Sequence, residues 1–310
     1  MILEIAVLIA AYLAWGVGVN TVGTVLGIVL GSGVMKLRNA AILAAGCTAL
    51  GAFFLSERIM ITMGESIAHI DLLGVLVIFV TTGMIITFTM YTRIPIFVTY
   101  LFIGAIAGYS LVKGIAVDML IFKEILLSLL ISPLAAITLG YLVYTLLRKF
   151  KLNKIQSAPA REAFERKFAV PAVIGLMLLS FALGGNSVGV SVGVLKGFVA
   201  VNWLKLLGAG GVLLGILTWS WKIATTVGTK FTDLSPTRGF SVQIAAALTI
   251  FTFIGLSIPV STTQTLIGAI VGVGLARGRL EPGTLRNVAF SWIFGLPAAI
   301  GIAALIAYII

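Results

Sequence analysis

Hydrophobic positions along this chain gather into long charge-free windows instead of alternating with polar ones. The windows span 5–35, 39–56, 72–92, 94–112, 125–147, 168–195, 206–221, 239–276 and 287–310. A membrane-crossing helix needs about 20 mainly apolar residues, so most windows predict one span each. Three of them (5–35, 168–195 and 239–276) are too long for one helix and carry Gly, Asn or Pro near the middle. Roughly ten to twelve helices or half-helices follow. No ten-residue alternation supports a closed barrel, the other architecture that satisfies the backbone in lipid. The N-terminus does not read as a secretory signal: Glu4 is its only charge, and no basic segment precedes the apolar stretch.

Composition narrows the class. The 310 residues are 60% hydrophobic and 10% charged, with a mean hydropathy of +1.18; soluble domains are about 45–50% apolar and about 25% charged. A soluble enzyme, a nucleic-acid-binding module and a disordered chain are excluded together. The net charge of +11 does not bring nucleic acid back as a partner, because its densest cluster is local. Arg148, Lys149, Lys151, Lys154, Arg161, Arg166 and Lys167 lie in one polar stretch between two hydrophobic halves. A short basic loop beside spans stays on the cytoplasmic side and attracts anionic membrane lipid. The predicted organisation is a first membrane repeat over 1–147, a basic cytoplasmic linker over 148–167 and a second repeat over 168–310. The expected location is the cell (plasma) membrane, with multiple passes. The lone Cys47 has no intrachain disulfide partner and reads as packing.

The halves resemble each other. Ile94-Pro95-Ile96-Phe97-Val98-Thr99-Tyr100 and the following residues to Gly108 match Ile258-Pro259-Val260-Ser261-Thr262-Thr263-Gln264 and those to Gly272 at an offset of 164, with eight of fifteen positions identical. Lys113-Gly114 and Arg277-Gly278 continue the match, and Pro133 falls on Pro297. Earlier, Gly18-Val19-Asn20-Thr21-Val22-Gly23 pairs with Gly184-Gly185-Asn186-Ser187-Val188-Gly189 at an offset of 166. The chain therefore reads as an all-α polytopic membrane protein of two repeated halves, inverted relative to each other, with broken or re-entrant helices. Duplicated halves of this kind point to a transporter with its site near the midplane.

Broken helices build such sites, because a half-helix N-terminus offers free N–H groups to an anion. The candidate breaks are Pro259–Thr263, Gly18–Thr24 and Gly184–Ser191. The expected anion ligands are Ser261, Thr262 and Thr263, with Asn20, Thr21, Asn186 and Ser187 as a paired floor and Thr99 as the first-half partner. The glycines recurring every fourth residue also fit close helix packing, and each Asn also fits an interhelical hydrogen bond.

At these residues the sequence resembles the PiT family of inorganic phosphate transporters and the related sulfate permeases. The family signature in each half resembles G-x-N-D-V-A-N, followed later by P-V-S-T-T-H. The strongest match runs from Leu234-Ser235-Pro236-Thr237-Arg238-Gly239-Phe240 through Ile258-Pro259-Val260-Ser261-Thr262-Thr263 to Gly278. Ser132-Pro133 and Leu296-Pro297 extend the resemblance over most of the chain. It implies a secondary transporter for phosphate or a similar tetrahedral oxyanion, working by alternating access, and a homodimer as one arrangement. Thr24, Gly18 and Gly184 fall where a coupling ion would be held.

The departures bear on coupling and substrate. The signature Asp is Thr21 in the first half and Ser187 in the second, and the His after the hydroxyl run is Gln264. Hydroxyls are weak neutral ligands for a hard cation, so sodium coupling is in doubt and the proton is the other coupling ion. A donor-rich site without carboxylates tilts the substrate toward sulfate, whereas the resemblance itself tilts it toward phosphate. Glu4, Glu65, Asp71, Asp118 and Glu124 lie near span ends and read as interfacial. Lys196, with Lys205, Lys222 and Arg238, is a candidate cation for attracting the anion or replacing a lost sodium charge. A passive anion channel is the alternative from another class. Catalysis is not expected, since His69 is the only His and no nucleophile motif accompanies it; no metal cluster, nucleotide loop or cofactor motif is present either.

Overall fold

A computed structural model describes residues 1–92, 97–230, 235–278 and 282–310; side chains at 92, 226, 227, 229, 230 and 282–293 lie outside the description. Its first half contains α1 (Ile2–Val17), a π-helical turn (Gly18–Val22), α2 (Gly23–Ser32), α3 (Leu37–Ile61) with a second π turn (Thr62–Ser66), α4 (Leu72–Thr92), α5 (Val98–Lys113) and α6 (Met119–Phe150). The polar stretch forms α7 (Ala158–Lys167). The second half contains α8 (Ala169–Val192), α9 (Val201–Thr218), α10 (Ser220–Lys230), α11 (Pro236–Gly255), α12 (Thr262–Ala276) and α13 (Pro282–Ile309). The only β pairing among the described residues is an isolated bridge between Ala68 and Val117.

Among the described residues, 7 helical segments are long and apolar enough to cross a membrane, and Val98–Lys113, Thr262–Ala276 and Phe294–Ile309 are shorter apolar helices. Large apolar side chains such as Leu8, Phe54 and Phe88 stand on the outer surface, where lipid is their natural solvent. The chain is a multi-pass integral membrane protein.

Glycine contacts show how the halves interlock. A Cβ on Gly18 would overlap the Val212 carbonyl, and one on Gly184 would overlap that of Thr48. Gly51 meets the Phe181 carbonyl, and Gly215 meets that of Trp15. Gly64 meets Gly193, and Gly228 meets Gly27. Each pair maps onto the other at the 164–166 offset with the halves exchanged. If one contact joins part A of the first half to part B of the second, its mate joins B of the first to A of the second. The final helices cross-pack in the same manner: α5 lies on α13 through Gly104 and Gly108, and α12 lies on α6 through Gly268 and Gly272. Gly114 and Gly278, also repeat mates, take left-handed φ values of 67° and 69° where α5 and α12 end; that conformation favours glycine.

Two expectations about breaks are corrected. The window 5–35 does not break at Gly18–Thr24; it continues through a π turn that inserts one residue without ending the helix. Gly184–Ser191 lies inside the continuous α8. Gly184 seats against the α3 backbone and Gly185 and Gly189 against the α3 side chains of Leu55 and Ile59, which favours an unbroken close-packed helix over an unwound one. The break at Leu256–Ser261 is real, and its first-half counterpart Ile94-Pro95-Ile96 lies outside the described residues, as does Leu234.

Candidate functional site

The segment between α11 and α12 needs outside support, because unwound backbone buried at this depth leaves peptide groups without helical partners. Pro259 removes one N–H from the problem. The Pro259 carbonyl accepts from Ser128 Oγ at 2.9 Å. At Val260, Asn186 Nδ2 donates to the carbonyl at 2.9 Å while the N–H donates to Asn186 Oδ1 at 3.0 Å. Thr99 Oγ1 donates to the same carbonyl at 2.9 Å. Val260 and Asn186 are buried, so these bonds satisfy groups that water does not reach. On the other side of the break, Thr62 Oγ1 donates to the Ser257 carbonyl at 2.6 Å, and Arg58 Nη1 donates to that of Gly255 at 3.1 Å. Ser257 holds a φ of 62°, a left-handed conformation unusual for a residue with a Cβ.

This scaffold presents the start of α12. Ser261 is its N-cap, and its Oγ accepts from Gln264 N at a long 3.4 Å. The hydroxyl proton is left free to donate. Thr262 and Thr263 are buried, and their hydroxyls have no protein partner among the described residues. The first N–H groups of a helix also lack an intrahelical acceptor. The result is a buried cluster of hydroxyl and backbone donors at the positive end of a helix dipole, suited to an anion. Gln264 Nε2 donates to Tyr100 Oη at 3.1 Å, joining two repeat mates 164 positions apart.

A family model described as the phosphate transporter family matches residues 17–303. The chain belongs to this family. Among its phosphate transporter family relatives, a protein of Methanocaldococcus jannaschii named "Putative phosphate permease" is 26% identical, covering 94% of this chain and 92% of its own length. The Arabidopsis thaliana protein named "Inorganic phosphate transporter 2-1, chloroplastic" is 24% identical, covering 96% of this chain and 70% of itself. A solved structure titled "The sodium-dependent phosphate transporter" superposes with a TM-score of 0.85 at 22% identity, covering 99% of this chain and 98% of the other, and shows the same fold.

The remaining predicted residues of this phosphate transporter family member fall into two groups. Asn186 and Thr99 are engaged with the Val260 peptide, while Thr24 Oγ1 donates one turn back to the Asn20 carbonyl. Gly18 and Gly184 serve helix contacts. Asn20 and Thr21 have no side-chain partner among the described residues, and the buried Ser187 hydroxyl has none either. The second-half cations are occupied: Lys196 Nζ pairs with Glu65 at 2.8 Å, Lys205 Nζ with Glu57 at 2.7 Å, and Lys222 stands 3.9 Å over the Trp219 ring. Sequence reading missed Ser128, because a single Ser in an apolar helix looks like one bonding its own helix, which Ser128 also does. It also missed the contact between Tyr100 and Gln264, although their shared offset was visible.

Proposed function

We propose that this chain moves inorganic phosphate across the cell membrane by alternating access, with the start of α12 as the anion cradle. The observation that carries this is the run Ser261-Thr262-Thr263, a buried set of hydroxyl and N–H donors braced by Asn186 of its own half and by Thr99 and Ser128 of the other. A site held by both halves can be opened to either side when the halves move against each other. The family and the names of its members support phosphate as substrate. Among the described residues each half carries five apolar helical segments, counting the shorter ones, and an odd number supports inversion of the second repeat, with the 148–167 linker on the cytoplasmic side.

Coupling and the second substrate reading rest on the same feature. Among the described residues no Asp or Glu is buried, and hydroxyls stand at 21 and 187. We therefore read the driving ion as a sodium held by neutral oxygens or as a proton. The absence of a buried carboxylate acceptor also favours sulfate as the second reading, since sulfate carries no proton to donate.

The test is uptake of labelled phosphate and labelled sulfate into proteoliposomes under a sodium gradient, a proton gradient and neither. Phosphate uptake that saturates and supports counterflow is expected; non-saturating flux means a channel. Removing hydroxyls by Ser261→Ala with Thr262→Val raises the KM at least tenfold, because each hydrogen bond to a charged group contributes about 1.5–3 kcal/mol. An unchanged KM places the anion elsewhere.

A further inference from the structure

The run Ser235-Pro236-Thr237 opens α11, and its structural task lies outside the anion cradle. Glu165 of α7 reaches across to it. Its Oε1 accepts from Ser235 Oγ at 2.8 Å and Thr237 Oγ1 at 2.7 Å, and its Oε2 accepts from Thr237 N at 2.9 Å. A second contact runs beside the first: Phe164 packs on Phe168 at 5.4 Å between ring centroids, and Phe168 meets Phe240 of α11 edge-on at 5.2 Å.

The first half solves the same problem internally. Ser235 stands at the repeat position of Asp71, which begins α4 with its own carboxylate: Oδ1 accepts from Gly74 N at 3.1 Å and from Tyr109 Oη at 2.6 Å. The second half has a hydroxyl at that position and receives its carboxylate from the linker. A carboxylate at a helix N-terminus satisfies its free N–H groups and suits its dipole.

We propose that Glu165 is a positioning residue for transport, through which the linker helix ties the beginning of α11 to the beginning of α8. Only Phe168 separates α7 from α8, so the tie acts on α8 directly. Farther along, Asn186 of α8 holds Val260 just beyond α11. The two helices are thus braced at both ends, and the cradle travels with them as one body. Losing the tie slows the rigid-body step and leaves the cradle intact.

This rests on the transport function proposed above, so the test has two arms: phosphate uptake into proteoliposomes, and amide hydrogen exchange over α7 and 237–240. Glu165→Ala is expected to lower the maximal uptake rate at least fivefold with the KM for phosphate within twofold. Glu165→Gln keeps an acceptor for both hydroxyls but turns an amide donor toward the Thr237 N–H, so its rate is expected between those of the wild type and Glu165→Ala. Adding Ser235→Asp to Glu165→Ala rebuilds the first-half cap, so it restores slow exchange at 237–240 without restoring the rate. Wild-type rates in Glu165→Ala, or a rate that returns together with the cap, overturn the proposal. If the wild type takes up no phosphate, the transport reading fails and exchange alone decides. Faster exchange in α7 that persists after Ser235→Asp supports the tie, and unchanged exchange overturns it.

Discussion

Asn186→Ala lowers phosphate uptake by at least tenfold and destabilises the protein, although the side chain it removes is uncharged and lies inside a continuous helix. The carboxamide matches one peptide group in both directions, donating to the Val260 carbonyl and accepting from the Val260 N–H. Truncation leaves that N–H buried without a partner, at a cost of about 1–3 kcal/mol. The carbonyl keeps Thr99 Oγ1, so Thr99→Val is the milder change. Asn186→Asp fits the same volume, yet it sets a carboxylate oxygen against a carbonyl and buries an unpaired charge. It is expected to be at least as damaging as Ala. Initial uptake rates at matched protein, together with thermal unfolding in detergent, measure both effects. Wild-type uptake in Asn186→Ala would remove this clamp from any role in shaping the cradle.

Gly184→Ala is expected to separate α8 from α3 and lower the unfolding temperature, or prevent a monodisperse protein from forming. The added methyl would overlap the Thr48 carbonyl, and the Ala52 N–H stands 2.7 Å from the same point. Backbone cannot rotate away as a side chain can, so the helices must part; overpacking of this kind costs about 1–3 kcal/mol or more. Gly18→Ala should behave alike at its mate contact with Val212. The internal controls are Gly46→Ala and Gly210→Ala, another repeat-related pair, where a Cβ meets nothing within 4 Å. Those two should stay within the error of the wild type. Thermal melts and size-exclusion profiles of the four variants decide the matter, and four equal melts would mean that helix approach does not limit stability.

The membrane class and a helix break at Pro259 were determined by sequence alone. Both depend on short-range chemistry: apolar windows must lie in lipid, and proline cannot continue a helix hydrogen bond. The clustering of the three hydroxyls at 261–263 was legible for the same reason, since neighbours in sequence are neighbours at a helix start. Only the tertiary structure decided what the other polar residues do. Asn20 and Asn186 read identically, yet Asn186 clamps Val260 while Asn20 has no side-chain partner among the described residues. Gly184–Ser191 looked like a break and is continuous, because the backbone of α3 packs against it. Ser128 and Glu165 carried no local signal at all. Their partners lie 131 and about 70 positions away, and a hydrogen bond specifies only a donor, an acceptor and a distance, so residue type reveals it only once the fold has brought the two together.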